Sequence, residues 1–242
     1  MKNLLIIGGT SGIIIPCLDN FVKKYKVYAT YSKDESLGNI PLKIRKSKNL
    51  VLIKLNFNLK DKKIIEILKK KKVKADIIIN SVGGTFGIKE YPFDIKTWQK
   101  QLDLNFFKHL LIINFFIKDM IKNKFGRILL FSSHAVDDPK TSITYSAAKA
   151  FLENYVKKSS ILFGKYNILI NCIKTSIVAA KNNNWYKATQ QKPKEIKDLM
   201  KRTLSVERIG NAKDFTAIID LVISEKNQFI NGSILTVDGG IK

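Results

Sequence analysis

The chain has 242 residues, enough for one α/β domain with a substantial buried core. Its 43 Lys and Arg residues against 20 Asp and Glu give a formal net charge of +23. Because the lysines are spread through every segment, we interpret the excess as a solvated basic surface and expect no nucleic-acid partner. The longest apolar region, near 110–117, is too short to span a membrane, so no membrane partner is expected either.

The cysteine usage and the N-terminal segment both favour the cytoplasm. Cys17 and Cys172 match no disulfide or metal-ligand spacing, which is typical of a reducing compartment and predicts no metal site. The apolar run at 4–7 is too short for a signal peptide. No repeat, linker or low-complexity tract interrupts the chain, so we expect a single domain over 1–242.

Short apolar runs alternate with segments of helical spacing along the chain. Strands are predicted at 4–7, 27–31, 51–55, 77–79, 127–133 and 168–173, with a seventh near the motif at 235–240. This alternation predicts an α/β fold, a single Rossmann-type doubly wound parallel sheet of about seven strands with helices on both faces. Ligands of such sheets bind at the carboxyl ends of the strands.

The predicted helices follow these strands. A first helix is expected after the glycine-rich turn and up to about residue 24, a long one over 97–122, another to about residue 164 and a last one near 214–224. Residues 174–203 are polar and lack helical spacing. A segment of that length beyond a strand end predicts an irregular lid over the site.

Two strand ends carry the residues of a nucleotide site. The turn from Gly8 to Gly12 lies between a strand and a helix, a setting in which backbone N–H groups and a helix N-terminus hold a pyrophosphate. The sequence Asn80-Ser-Val-Gly83 ends the fourth strand, so it is expected to form a wall of the same site.

Tyr145 and Lys149 form the central pair of candidate catalytic residues. Four residues apart near the start of a helix, they share one helical face. A nearby ammonium would lower the pKa of the phenol, which suits a proton donor or acceptor near neutral pH. Ser133 ends a strand and can reach the same place to hydrogen-bond a carbonyl oxygen, although the adjacent Ser132 is an alternative donor.

These stretches together resemble the short-chain dehydrogenase/reductase family over nearly the whole chain, with a layout like that of 3-oxoacyl-carrier-protein reductases. The spacing Gly8-x-x-x-Gly12 is similar to the family's cofactor turn, and residues 80–83 are similar to its Asn-Asn-Ala-Gly element. The catalytic set is matched by Asn105, Ser133, Tyr145 and Lys149, and the C-terminal signature is matched by residues 237–240.

The resemblance implies hydride transfer between a nicotinamide and a ketone or secondary alcohol. Tyr145 would act as general acid or base, and Lys149 would lower its pKa and bind the nicotinamide ribose. Ser133 would polarise the substrate oxygen, and Asn105 would hold a water molecule linking Lys149 to solvent. The cofactor supplies the hydride, and the protein supplies position and charge stabilisation.

The cofactor site implied by the resemblance extends over five loops. An acid that would bind the ribose 2′-hydroxyl is missing at the end of the second strand, where Ser32 and Lys33 could accept a 2′-phosphate instead, so NADP(H) is favoured over NAD(H). The expected cofactor-binding residues are Gly8, Thr10, Ser11, Gly12, Ile13, Tyr31, Ser32, Lys33, Asn56, Asn80, Val82, Gly83, Tyr145, Lys149, Ser176 and Val178.

Three positions depart from the family's pattern. Ile14 replaces the third glycine of the turn, so it must displace the helix or point into the cofactor site. Thr175-Ser176 replaces a Pro-Gly pair near the nicotinamide amide. Asn56 stands where an Asp often contacts the adenine. The first two departures support an alternative, a dinucleotide-binding scaffold or sensor without turnover.

The substrate is not fixed by these motifs. Ser133, His134, Tyr145 and Trp185 are the candidate substrate contacts, and a 3-oxoacyl thioester or a modified (nucleotide) sugar would each be compatible with the chain. By analogy with the family, we expect a homo-oligomer, a tetramer or dimer, built on the helices that carry Asn105 and Tyr145.

Overall fold

The computed structural model describes residues 1–85, 94–181 and 183–242. The strands in chain order are β1 (Asn3–Ile7), β2 (Lys26–Tyr31), β3 (Leu50–Lys54), β4 (Ile77–Asn80), β5 (Gly126–Ser133), β6 (Ile168–Thr175), β7 (Val178–Ala179), β8 (Gly210–Asn211) and β9 (Ile234–Val237). The α-helices are α1 (Leu18–Lys24), α2 (Leu42–Arg45), α3 (Asp61–Lys70), α4 (Ile95–Leu102), α5 (Lys108–Asn123), α6 (Ile143–Phe163), α7 (Asn184–Gln191), α8 (Pro193–Thr203) and α9 (Thr216–Ile223).

The predicted doubly wound sheet is confirmed. Seven strands pair in the order β3-β2-β1-β4-β5-β6-β9, and every pairing is parallel. The chain therefore runs outward in one direction from β1 to β3 and in the other from β4 to β9. Between β1 and β4 the strand order reverses, which opens a crevice at the carboxyl ends of these strands.

The alternation of side chains along the strands builds two apolar layers. In β1, Leu4 and Ile6 pack into one buried cluster with α1, α2 and α9, whereas Leu5 and Ile7 pack into the other with α3, α5 and α6. A strand covered by helices on both faces needs apolar residues at every position, which explains the continuous runs in the sequence. Among the described residues, no helix combines the length and apolarity needed to cross a bilayer.

The prediction of an irregular segment over 174–203 is wrong. The strand β6 continues to Thr175, β7 pairs with β8, and α7 and α8 fill most of the remainder, with Asn182 outside the described residues. The Asn183 side chain caps α7 by accepting a 2.7 Å hydrogen bond from the Tyr186 N–H. In α8, Met200 is buried, so a single anchoring residue holds an otherwise lysine-rich helix.

The first helix begins later than the sequence indicates. After the glycine-rich turn the chain makes a 3₁₀ turn at Ile15–Cys17, and α1 starts only at Leu18. Pro16 lies in that turn. Since proline has no backbone N–H, the start of this helix offers one donor fewer to a ligand.

Candidate active site

Lys149, Asn105 and Gly83 meet below the end of β5. The Lys149 Nζ donates a 2.8 Å hydrogen bond to the carbonyl oxygen of Phe131, two residues before Ser133. A Cβ atom on Gly83 would lie 2.7 Å from Asn105 Oδ1 and 3.0 Å from Lys149 Nζ. The backbone after β4 therefore fits between these two side chains because residue 83 has none.

Tyr145 lies in the first turn of α6, and Lys149 follows one turn later. The Lys149 Nζ is 5.7 Å from the centroid of the Tyr145 ring, and the Ser133 hydroxyl faces the phenol. The structure thus brings together three of the predicted catalytic residues. Ser132 points elsewhere, since its hydroxyl donates a 2.6 Å hydrogen bond to Glu153 Oε1. It is therefore not available as the alternative carbonyl donor.

The predicted lowering of the Tyr145 pKa by Lys149 is wrong for the chain by itself. Burial raises the pKa of the phenol above its ordinary value, and only the Ser133 hydroxyl works in the opposite direction. The ammonium of Lys149 is turned toward the Phe131 carbonyl. Burial in turn lowers the pKa of Lys149 to about 8, so this group titrates close to neutral pH.

The environment of Lys149 contains an imidazole that the sequence analysis did not assign to the site. His109 of α5 is fully buried, and the carbonyls of Val82 and Leu104 lie near its ring, although neither ring nitrogen makes a well-formed hydrogen bond among the described residues. Burial and the nearby charge of Lys149 lower the pKa of His109 to about 3, while the carbonyls of Val82 and Leu104 act weakly the other way. The ring is therefore neutral at physiological pH.

Asn105 lies in a π-helical turn over Asp103–Phe107, between α4 and α5. Such turns interrupt the regular hydrogen bonding of a helix and are frequent at functional sites. Its Oδ1 accepts a 3.0 Å bond from the Gly84 N–H, and its Nδ2 donates to the carbonyl oxygens of Gly84 and Gln101. The Asn105 side chain therefore ties the π-helical turn to the loop after β4.

The glycine-rich turn presents unpaired backbone donors. The Ser11 N–H bonds the Gly8 carbonyl at 2.9 Å, whereas the N–H groups of Thr10, Gly12 and Ile13 have no partner among the described residues. Thr30, which the sequence analysis missed, fixes the start of the turn by accepting a 3.0 Å bond from the Gly8 N–H. Free N–H groups at this edge of the sheet suit a pyrophosphate.

Ile14 neither enters the cofactor side nor is exposed. It is fully buried in the apolar cluster below the turn. Of the two expected outcomes, the structure shows the displaced helix, since α1 starts four residues after Ile14. The segment after β7 also lies on the turn, because a Cβ on Gly12 would come within 2.6 Å of the Ala180 Cβ.

A cleft of about 200 Å³ follows the carboxyl ends of β1, β2 and β4. The residues of the predicted cofactor site that line it are Gly8, Thr10, Tyr31, Ser32, Asn56 and Val82. Asn80 lies beneath, with Oδ1 bonded to the Val82 N–H at 3.2 Å and its Nδ2 unpaired among the described residues. Unpaired donors around a cleft at the reversal of strand order fit a dinucleotide.

The end of β2 has an ion pair that the sequence did not reveal. Asp34, the first acid after the strand, is paired with Lys54 at the end of β3. Lys33 is exposed. The carboxylate that could repel a 2′-phosphate therefore has its charge balanced at this position.

Ser176 and Val178 lie beside the C-terminal motif. The Ser176 hydroxyl donates a 2.9 Å hydrogen bond to the Asp238 carbonyl, and the Val178 side chain is buried in β7. The Val178 carbonyl accepts a 2.7 Å bond from Asn183. These contacts connect the segment after β6 to the end of β9 and to the start of α7. Thr175-Ser176 therefore lies in a well-anchored segment, at the position where the family's pattern has Pro-Gly.

A larger cleft, of about 650 Å³, opens beside Tyr145. Ser133, His134, Tyr145 and Trp185, the predicted substrate contacts, all line it. Other lining residues, not predicted from the sequence, come from the loop after β5, from α8 and from the C-terminal segment after β9: Asp137, Asp138, Lys140, Thr141, Thr203, Ile241 and Lys242. These residues are far apart in the sequence and become neighbours only at the carboxyl edge of the folded sheet, so no local pattern predicts that they share a cleft.

Comparison with known proteins identifies the family. The family model for short chain dehydrogenases matches residues 2–191, so the chain belongs to this family of NAD(P)-dependent oxidoreductases. One relative is the NADP(+)-linked L-rhamnose 1-dehydrogenase of Thermoplasma acidophilum, 28% identical over 69% of this chain and 65% of that protein. Another is the NAD-dependent glycerol dehydrogenase of Listeria innocua, 24% identical over 99% of this chain and 93% of that protein.

Solved structures share the fold over the whole chain. The structure of ElxO with NADP bound has a TM-score of 0.83 at 23% identity, covering 99% of this chain and 98% of that one. A 3-oxoacyl (acyl-carrier-protein) reductase from Agrobacterium tumefaciens C58 with NADP bound has a TM-score of 0.88 at 17% identity, covering 99% and 93%. At these identities the likeness establishes the fold alone.

Proposed function

We propose that the chain interconverts a ketone and a secondary alcohol, using NADP(H) in preference to NAD(H). The observation that carries the proposal is the meeting of Ser133 and Tyr145 at the larger cleft, with Lys149 buried one helical turn after Tyr145 and bonded to the strand that ends at Ser133. In this family the nicotinamide supplies or accepts the hydride. The protein has to position the reacting carbon and manage one proton.

Tyr145 is the group we assign to the proton. In the reductive direction its hydroxyl gives a proton to the oxygen of the former carbonyl, and in the oxidative direction the phenolate takes it back. Because burial raises the Tyr145 pKa in the chain alone, the phenolate needs positive charge brought to the site. Lys149, buried beside it, is the fixed cation that the chain provides.

Ser133 and Asn105 complete the set in different ways. The Ser133 hydroxyl can donate to the substrate oxygen, which holds the carbonyl against Tyr145 and stabilises developing negative charge. Asn105 acts through position, since its side chain binds the loop at Gly84 and thereby fixes Gly83 against Lys149. We assign its backbone carbonyl to the water that links Lys149 with solvent.

The cofactor preference rests on the end of β2. Gly8, Thr10, Tyr31, Ser32, Asn56 and Val82 line the cleft that would take the adenosine half, and the free N–H groups of the turn would take the pyrophosphate. Ser32 and Lys33 would bind a 2′-phosphate. The pairing of Asp34 with Lys54 supports this choice, because it reduces the repulsion that an isolated carboxylate would cause.

A homo-oligomer is also proposed. Phe107 and Phe151 are about half exposed, and both rings pack against Phe106 between the helices that carry Asn105 and Tyr145. An exposed aromatic cluster of this kind is typical of an interface between subunits. Sedimentation at micromolar concentration should show a dimer or tetramer, and a Phe151→Asp variant should shift the distribution toward monomer.

A titration of cofactor fluorescence combined with a turnover assay tests the proposed function. NADPH and NADH are added separately to the protein, and consumption of NADPH is then followed with carbonyl compounds, and of NADP with alcohols. We expect tighter binding of NADPH than of NADH and measurable turnover. Binding without turnover of any compound would favour the scaffold or sensor, and absence of binding to either cofactor would contradict both functions.

A further inference from the structure

A charged side chain is buried directly behind the larger cleft. Lys174 lies in β6 beside Ser132 of β5 and is 9% exposed. Its Nζ is 2.7 Å from Asp137 Oδ2 and 3.2 Å from Glu153 Oε1. Glu153 also accepts the hydrogen bond of the Ser132 hydroxyl. A buried ammonium has to be paired, so this cluster has a fixed geometry.

The cluster keeps its charges. Burial disfavours the charged form of Lys174, but the hydrogen bond with Asp137 and the charge of Glu153 outweigh this effect and raise the pKa of the ammonium. Lys174 therefore stays charged throughout the neutral range. Both carboxylates remain anchored to it, one from α6 and one from the loop that follows β5.

Asp137 connects the buried cluster to the larger cleft, because it binds Lys174 and also lines the cleft. Ser133 caps a short 3₁₀ turn, His134–Val136, and the Asp137 N–H closes the turn by bonding the His134 carbonyl at 2.9 Å. Ser133 and Asp137 both line the larger cleft, so a substrate held at Ser133 shares this cleft with the Asp137 carboxylate.

One oxygen of this carboxylate is available to a ligand. Asp137 Oδ2 binds Lys174, whereas Oδ1 has no partner within the described ranges, and about half of the side chain is exposed. The His134 Nδ1 lies 4.0 Å from Oδ2 on the same side. A carboxylate oxygen that is held in place but unpaired is an acceptor for a hydroxyl group.

We propose that Asp137, positioned by Lys174, accepts a hydrogen bond from a hydroxyl group of the substrate and selects small polyhydroxylated compounds, such as sugars or polyols. The inference rests on the proposed function, because it assigns the substrate class of the same site.

The polar groups of the cleft are compatible with this class of substrate. The charge of Asp137 is balanced by Lys174, so its free oxygen suits a neutral hydrogen-bond donor such as a hydroxyl group. Thr203 and Trp185 line the same cleft, together with the apolar residues Ile177 and Ile241. Because apolar side chains also line the cleft, a long acyl chain is the competing substrate class that the test has to include.

Paired substrates test the inference. Wild-type protein is assayed with hydroxyl-rich compounds, such as dihydroxyacetone and a series of aldoses and polyols. Each is matched to its analogue lacking the hydroxyl groups next to the reacting carbon, and acetoacetyl coenzyme A represents the thioesters. We expect at least a tenfold preference in kcat/KM for the hydroxylated member, because a site built to bond a hydroxyl group discriminates against the analogue without it.

The variants then locate the preference. Asp137→Asn keeps the Lys174–Glu153 pair, so it should fold, and it should reduce the hydroxyl preference about tenfold while changing kcat/KM for the analogue less than threefold. Lys174→Met should raise KM for the hydroxylated substrate with little change in NADPH affinity, and Lys174→Arg should restore part of it. Asp119→Asn, which changes an exposed carboxylate on α5, is the matched control.

The outcomes separate the inference from the function. An Asp137→Asn variant that loses activity equally on both members of each pair would overturn the inference alone, as would a wild-type preference for the thioester or the dehydroxylated analogues. No turnover of any carbonyl or alcohol by the wild type would contradict the proposed function itself, and the inference with it.

Discussion

The ammonium of Lys149 in α6 donates a 2.8 Å hydrogen bond to the carbonyl oxygen of Phe131 in β5. This bond joins the helix that carries Tyr145 to the strand that ends at Ser133. The relative position of the two proposed catalytic groups is therefore set by a buried charge. Such a charge is costly in the folded chain, as the lowered pKa of Lys149 shows.

Replacing Lys149 with Met should stabilise the protein at neutral pH. A pKa of about 8 against 10.5 in the unfolded chain corresponds to a cost of about 3 kcal/mol. Since the unfolded state binds more protons between these values, wild-type stability should rise relative to the variant from pH 8 to 10.5. Urea unfolding of both proteins at pH 7 and pH 10 measures this, and a variant less stable at pH 7 would contradict the account.

Gly83→Ala should disturb the site, whereas Gly84→Ala should not. Gly83 has a φ of +152°, and an added Cβ would press on Asn105 and Lys149, so we expect a loss of about 2 kcal/mol in unfolding free energy. A Cβ on Gly84 meets nothing within 4 Å among the residues that the structure describes. Thermal unfolding and NADPH affinity of the two variants give the comparison, and equal behaviour would refute the close approach.

Restoring the family's glycine at position 14 should harm the protein. Ile14 is fully buried in the core, so Ile14→Gly should lower the unfolding free energy by about 3–5 kcal/mol. NADPH affinity should not improve, because the Ile14 side chain does not enter the cofactor cleft. An Ile14→Gly protein with wild-type stability and tighter cofactor binding would show that the side chain obstructs the site.

Lys33→Ala should weaken NADPH binding about tenfold, equivalent to about 1.4 kcal/mol, and leave NADH binding unchanged. The reason is that a 2′-phosphate contact exists only in NADPH. Lys62→Ala removes an exposed lysine from α3 and serves as the control. Fluorescence titration measures the dissociation constants of both cofactors. An equal loss of affinity for NADPH and NADH would show that Lys33 does not bind the 2′-phosphate.

Much of the fold could be predicted because buried parallel strands need continuous apolar runs. The seven strands, the long helices and the meeting of Ser133, Tyr145 and Lys149 follow from such runs and from the rule that ligands bind at the carboxyl ends. The helices α7 and α8 could not be predicted in the same way. Each exposes most of its surface, and Met200 is a weak signal among many lysines.

The positions and partners of buried charged groups were the second feature that could not be predicted from the sequence. Lys174 lies in an apolar strand run, a pattern that signals a buried charge, but its partners Asp137 and Glu153 are far away in the sequence. The direction of the Tyr145 pKa also depended on burial, which spacing along a helix does not measure. The position of the Ile14 side chain could not be predicted either, because it depends on the backbone before α1. That helix begins later than expected, which leaves room for the larger side chain.

The central claim is that the Tyr145 hydroxyl transfers the proton, and Tyr145→Phe tests it most directly. NADPH affinity and turnover are measured for wild type and variant on the same substrate. We predict an unchanged NADPH dissociation constant, within about threefold, and a loss of kcat of about a thousandfold, consistent with removal of a general acid. Turnover retained within tenfold of wild type would contradict the assignment.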